Sequence, residues 1–229
     1  MPEPLKTLWC ANPLCLMRSS FSVACWLALL SGAASGQQPI PITDGEELCR
    51  TILNSGQCAA AVEAHQIPLS RGRVRRDAVA LHLGLTNGRE LSVVHDATSE
   101  RPVYFFFLGI CSSLGYYLLW AQPYEGHFIR LVNARTGWST LIDDMPMVSP
   151  DGRRFATVAL DREVHSNPEL VVWRVDGDTL RREWRLVPTY WTPERVHWLS
   201  NRSLEFAHGE GVDTAEVDST GIWTTRLGP

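Results

Sequence analysis

Lysine is almost absent from this 229-residue chain: Lys6 is the only one, and arginine supplies the other basic residues. A Schiff-base mechanism and a nucleotide-binding P-loop both need a lysine amine, so neither can be built beyond the first few residues. A basic excess is lacking as well, since 21 basic residues face 25 acidic ones and the net charge is −4. Domains that bind nucleic acid carry a basic face, so the composition speaks against a nucleic-acid partner.

The sequence also lacks the short motifs that mark common catalytic and metal sites. It contains no Cys-x-x-Cys, no His-Glu-x-x-His and no Gly-x-Ser-x-Gly. His95 and Asp96 are neighbours on a predicted strand, so their side chains point to opposite faces. Asp143 and Asp144 offer too few oxygen ligands for a calcium loop. We therefore predict no catalytic residue, no metal ligand and no cofactor.

The first 36 residues are typical of a signal peptide with an upstream extension. From Met17, one arginine precedes an apolar run at about residues 21–30, and small residues follow, which favours cleavage before Gln37. An uncleaved anchor is the alternative, but the run is short for a span of ~20 residues. No second apolar stretch of spanning length follows. We expect a periplasmic or secreted protein with no membrane span in its mature chain.

Three cysteines remain in the mature chain: Cys49, Cys58 and Cys111. In an oxidising compartment two of them would pair, and the spacing favours Cys49–Cys58 among the three possible pairs. Three buried thiols are the alternative. Cys111 lies between two apolar segments, which favours a buried or disulfide-bonded cysteine over a nucleophile.

Residues 37–74 are predicted to form a linker and a small helical hairpin. Asp44 can cap a first helix, and Asn54-Ser55-Gly56 is predicted to end it. The second helix is expected from about Cys58 to His65, ending before Pro68. A Cys49–Cys58 bond would join the two helices.

Residues 75–229 are predicted to form one antiparallel β domain. Apolar and polar residues alternate on both sides of Asn87-Gly88, which is the strongest short signal for a β-hairpin. A second hairpin is predicted to turn at Gly137. Further apolar strands follow, and no long helical period interrupts them.

The β region contains a weak repeat. Ser149-Pro150 and Thr192-Pro193 each precede a strand, 43 residues apart, and Gly137 and Gly177 lie in similar hairpins 40 residues apart. Several short strands within a period of about 40–45 residues are typical of propeller blades. Residues 149–155, Ser-Pro-Asp-Gly-Arg-Arg-Phe, resemble a blade motif of the TolB-like and WD-repeat β-propeller proteins.

That resemblance implies a propeller-like body of about four blade-like units, with an incomplete propeller or a stack of twisted sheets as the alternative. The motif is specific in one unit only. The segment at Thr192 lacks the Asp-Gly turn, and no unit has the His and Trp-Asp pair of true WD repeats. The layout of a leader and such a body also resembles exported bacterial proteins of no known activity.

The fold implied by the resemblance favours a non-catalytic binding or protein-interaction module, whose partner is an unidentified protein or envelope ligand. Its candidate binding residues are Tyr124, Glu125 and His127, in a predicted hairpin loop, and Trp191, in a loop-like segment.

The alternative is an envelope-associated hydrolase with a site built from loops. That function requires several ionisable residues to meet in one cleft: His95, Glu125, His127, Asp143 and Asp144.

Overall fold

A computed structural model describes residues 49, 52, 54–96, 102–123, 126–159, 168–189, 191–209 and 211–226. In these ranges the chain is mainly β, with four antiparallel sheets and a 15-residue helix. The predicted signal peptide and linker lie outside the described residues, as does most of the first predicted helix. No helix among the described residues combines the length and apolarity needed to cross a bilayer.

Helix α1 spans Ser55–Leu69 and is longer at both ends than the sequence predicts. Asn54 was expected to help end a helix, but its side chain caps this one by accepting a hydrogen bond from the backbone N–H of Gln57 at 3.0 Å. Pro68 lies inside the last turn, so the predicted end before Pro68 is wrong. A proline this close to the end removes only one backbone bond of the helix. The predicted Cys49–Cys58 disulfide is confirmed.

The described strands follow the helix and connect in simple order. They are β1 (Val74–Arg76), β2 (Ala80–Gly84), β3 (Glu90–Val94), β4 (Tyr104–Cys111), β5 (Tyr116–Gln122), β6 (Phe128–Asn133), β7 (Ser139–Ile142), β8 (Met147–Val148), β9 (Arg154–Ala159), β10 (Glu169–Asp176), β11 (Thr179–Leu186), β12 (Arg195–Trp198), β13 (Ser203–His208), β14 (Gly211–Val217) and β15 (Trp223–Arg226). The first sheet is β1–β3, the second β4–β7, the third β8–β11 and the fourth β12–β15. Within each sheet, every strand pairs antiparallel with its neighbour in the chain.

Three apolar cores join these sheets face to face in chain order. Leu83 packs with Tyr117 between the first and second sheets, and Tyr116 packs in a core with Phe155 between the second and third. Val172 and Phe206 belong to the core between the third and fourth sheets. The second and third sheets are therefore covered on both faces. This explains why β5 and β10 are almost continuously apolar rather than alternating.

Helix α1 lies along β4 and covers its edge. The Glu63 carboxylate accepts a hydrogen bond from the backbone N–H of Phe107 at 2.7 Å, and it binds the Arg76 guanidinium at 2.6 and 2.8 Å. The buried Glu63 carboxylate thus binds a backbone N–H at the edge of the second sheet and connects the helix to the first sheet.

The structure corrects part of the predicted repeat. Ser149-Pro150 lies in the turn between β8 and β9, the first two strands of the third sheet, whereas Thr192-Pro193 precedes β12, the first strand of the fourth. The spacing of 43 residues therefore compares different places, because proline suits both a turn and the residues before a strand. By position in its sheet, the counterpart of the turn at Ser149 is the turn at residues 199–202.

The alignment of Gly137 with Gly177 compares equivalent places. Both glycines lie in the turn between the last two strands of a sheet, and so do Gly88 and Gly221. All four have positive φ, between +60° and +89°, which glycine adopts without a steric penalty. The first sheet therefore corresponds to the last three strands of the other sheets.

Candidate functional site: an arginine-lined cleft

A cleft of about 470 Å³ opens between the third and fourth sheets. The turn between β8 and β9, the end of β10 and the turn between β12 and β13 meet there. We call it the arginine cleft. Its lining consists of Asp151, Arg153, Arg154, Arg174, Val175, Asp176, Asn201 and Arg202.

The turn that resembles a blade motif forms one wall of the arginine cleft. The backbone N–H groups of Arg153 and Arg154 donate to Asp151 Oδ1 and Ser149 Oγ, both at 3.0 Å. Gly152 lies at φ +66°, directly against the second sheet: a Cβ at this position would lie 2.9 Å from the backbone oxygen of Ser113. The motif is therefore structural, and it holds two successive arginines at the mouth of the cleft.

Arg154 is fixed by a buried carboxylate behind the cleft. Its Nε and Nη2 atoms donate to the two oxygens of Glu183 at 2.5 and 3.0 Å, and its Nη1 donates to the backbone oxygen of Asn201 at 3.2 Å. Only 4% of the Glu183 side chain is exposed. Burial acts to raise the pKa of Glu183, but the hydrogen bonds and charge of Arg154 outweigh it, so the pKa of Glu183 is lowered. The pair is therefore ionised, and it links the third sheet to the turn of the fourth.

The other guanidinium groups keep donors that no described residue uses. Arg174 Nη1 lies 3.6 Å from Glu183 Oε1, beyond hydrogen-bonding distance, and 47% of its side chain is exposed. Arg202 donates through Nε and Nη2 to the backbone oxygen of Val217 at 3.0 and 2.8 Å. Within the described residues, the Arg153 side chain has no hydrogen bond or ion pair. Guanidinium groups with spare donors suit carboxylate, phosphate or sulfate groups, which they bind with two parallel bonds.

Two of the predicted binding residues, His127 and Trp191, are not part of the lining of the arginine cleft. His127, in the loop between β5 and β6, stacks on Trp120 with ring centroids 4.1 Å apart. This loop and the turn between β4 and β5 are at opposite ends of β5. Trp191 is half-buried and stacks on His208 and Phe206 at 4.4 and 5.9 Å. Trp191 lies before β12, whereas the fourth sheet contributes to the arginine cleft through the turn after β12. Tyr124 and Glu125 lie outside the described residues.

Glu125, one of the ionisable residues considered for catalysis, lies outside the described residues, and three of the others, His95, His127 and Asp143, have different surroundings. His95 Nδ1 accepts the backbone N–H of Phe105 at 3.0 Å, and burial followed by the charge of Arg76 lowers the pKa of His95. Burial and then the charge of Glu169 raise the pKa of Asp143. His127 stacks on a tryptophan instead. The hydrogen bond from Phe105 gives His95 a structural role at the edge of β4.

Sequence reasoning missed the arginine cleft because its cations come from distant parts of the chain. Arg153 and Arg154 are adjacent, but Arg174 comes from β10 and Arg202 from the turn between β12 and β13. The signal that could have revealed the arginine cleft is the position of each turn within its sheet. Once the turn of each sheet is aligned by its place between the first two strands, Arg153 and Arg202 fall in equivalent turns of neighbouring sheets.

No protein-family model matches the chain, and no curated protein sequence matches it either. The case for a function therefore rests on the geometry of the arginine cleft.

Proposed function

We propose that this protein is an exported, non-catalytic binding module that holds its ligand in the arginine cleft. The convergence of four guanidinium groups on one cleft between two sheets carries the proposal. Arginine stays protonated at physiological pH, so these groups attract an anionic ligand without exchanging protons with it. Because Glu183 fixes Arg154, part of the binding geometry exists before the ligand arrives, and less entropy is lost on binding.

We infer that the four sheets are blade-like units of a propeller-like body. The four equivalent glycines, Gly88, Gly137, Gly177 and Gly221, support this proposal, as does the packing of each sheet on the next. Propeller-like bodies carry their ligands on turns at the ends of strands, and the arginine cleft has that location. This analogy supports a binding surface and says nothing about the ligand.

We also propose that the protein acts in the periplasm or outside the cell. The leader-like first 36 residues support export, and the Cys49–Cys58 disulfide suits an oxidising compartment. Mass spectrometry of the exported protein tests this directly. An N-terminus at Gln37 is expected, and a mature protein that retains the preceding residues would contradict the proposed cleavage.

An envelope hydrolase is the competing function, and it receives less support from the geometry. It needs acids and bases that share one cleft, whereas His95, His127 and Asp143 contact different groups. The ionisable groups that line the arginine cleft are four guanidinium groups, which neither give nor take protons at neutral pH, and the carboxylates of Asp151 and Asp176. Asp151 uses one carboxylate oxygen to hold its own turn.

Affinity capture from an envelope extract tests the binding function. The mature chain is compared with an Arg153→Gln/Arg174→Gln variant, because both side chains are accessible and neither is needed to hold Arg154. A matched control, Arg89→Gln/Arg195→Gln, removes two exposed arginines outside the arginine cleft. Loss of the captured ligand in the cleft variant alone is expected. Equal capture by all three proteins would refute the arginine cleft as the binding site.

A further inference from the structure

Charges of both signs line the arginine cleft. Beside the guanidinium groups, the carboxylates of Asp151 and Asp176 also face it. Asp151 uses Oδ1 to hold its own turn, accepting from Arg153 N–H at 3.0 Å and Ser149 Oγ at 2.8 Å. Within the described residues, the exposed Asp176 side chain has no hydrogen bond or ion pair. The cleft thus offers acceptors as well as donors to a ligand.

A ligand that satisfies both sets of groups must carry an anionic substituent and several hydroxyl groups. The anionic substituent would bind the spare donors of Arg153 and Arg174. The hydroxyl groups would donate to the carboxylates of Asp151 and Asp176, which accept hydrogen bonds but cannot donate them when ionised. Asn201 also belongs to the lining, and its side-chain amide can both donate and accept hydrogen bonds.

We infer that the arginine cleft binds an acidic saccharide unit, that is, a sugar bearing a carboxylate, phosphate or sulfate group. This inference rests on the proposed binding function and names its ligand class. A volume of about 470 Å³ lies within the range of small-molecule sites, ~300–1,000 Å³.

An acidic peptide fits the lining less well. Its carboxylates would approach Asp151 and Asp176 as like charges, and like charges across an interface are unfavourable. A simple inorganic anion would also be repelled by these carboxylates, because its charge and its few donors lie on the same small group. The aspartates therefore favour a ligand whose hydroxyl groups lie apart from its acid group.

Asp176→Asn is the substitution that distinguishes these ligands. The amide oxygen of asparagine still accepts a hydrogen bond, but more weakly than a carboxylate, and the negative charge is lost. We expect affinity for an acidic saccharide to fall about three- to ten-fold, the loss of one charge-assisted hydrogen bond. Affinity for inorganic phosphate or for an oligo-aspartate peptide should instead rise, because only repulsion has been removed.

Isothermal titration calorimetry on the mature protein measures these affinities. The probes are galacturonic acid oligomers, glucose 6-phosphate, glucose, inorganic phosphate and tetra-aspartate, so that the acid group and the hydroxyl groups are varied separately. Binding of the two acidic sugar probes, or of one of them, with none for glucose is expected, as is its loss in Arg153→Gln/Arg174→Gln. The Arg89→Gln/Arg195→Gln control should bind normally. Thermal unfolding of each variant confirms that it is folded.

Two results would overturn the inference. One is tighter binding of the acidic sugars to Asp176→Asn than to the parent, and the other is binding of tetra-aspartate or phosphate without binding of any acidic sugar. If no acidic sugar binds while capture from envelope extract still depends on Arg153 and Arg174, the ligand class is wrong and the binding function stands. If that capture does not depend on the arginines, the proposed site itself is wrong.

Discussion

Replacing Gly152 by alanine tests whether the turn between β8 and β9 is held by contact with the second sheet. Gly152 has a φ of +66°, and an added Cβ would lie 2.9 Å from the backbone oxygen of Ser113. Two separate costs follow. A non-glycine residue at positive φ costs roughly 1–2 kcal/mol, and forcing an extra carbon against a packed backbone costs roughly 1–3 kcal/mol.

Gly177→Ala is the matched control. Gly177 also has a positive φ, +60°, but no atom lies within 4 Å of its added Cβ. It should therefore show the cost of positive φ alone. We expect Gly152→Ala to lower the free energy of unfolding by about 2–5 kcal/mol, and Gly177→Ala by about 1–2 kcal/mol.

Urea denaturation followed by tryptophan fluorescence measures both values. Equal m-values would show that the two variants expose the same surface on unfolding. If Gly152→Ala and Gly177→Ala cost the same free energy, the contact with Ser113 contributes nothing and the reasoning is refuted. The larger loss in Gly152→Ala should also weaken binding in the arginine cleft, because the same turn carries Arg153 and Arg154.

Three further predictions address individual interactions. Glu183→Gln should lower the free energy of unfolding by about 3 kcal/mol, since it leaves the mostly buried Arg154 without a carboxylate. The control Arg174→Gln should change this free energy by no more than about 1 kcal/mol. If chemical denaturation shows a smaller loss for Glu183→Gln than for Arg174→Gln, this prediction is wrong. Cys58→Ser should cost about 2–3 kcal/mol, and dithiothreitol should lower the melting temperature of the parent but not of the variant; an equal effect on both would rule out a stabilising disulfide. Because the pKa of His95 is lowered by burial and by Arg76, its contribution to stability is complete above the unfolded value near 6.5 and is lost as the pH falls below it. The fall in stability between pH 7.5 and 5 should therefore be smaller in His95→Gln, and an unchanged fall would exclude this role.

Local patterns in the sequence predict the hairpins but not the ends of the helix. Asn87-Gly88 needs nothing beyond its own conformational preferences, and the turn between β2 and β3 is confirmed there. Asn54, by contrast, suits either the end or the start of a helix. Its role depends on where α1 packs, and Glu63 fixes this through contacts with distant residues.

The arginine cleft could not be predicted because it depends on how two sheets pack. Arg153 and Arg202 belong to turns about 50 residues apart, and nothing local places either beside Arg174. The role of Trp191 in binding stays a prediction. Its sequence surroundings did not show that it stacks on His208 and Phe206 of the fourth sheet.

The chain-order packing of the sheets has a consequence for how the protein comes apart. Because each core joins a sheet to the next one in the chain, stability resembles a sum over neighbouring interfaces, as in repeat proteins. Damage at the third–fourth interface should then release the last sheet while the first three keep the two cores that join them. Limited proteolysis of such a damaged protein would leave an N-terminal fragment that contains α1 and the first eleven strands.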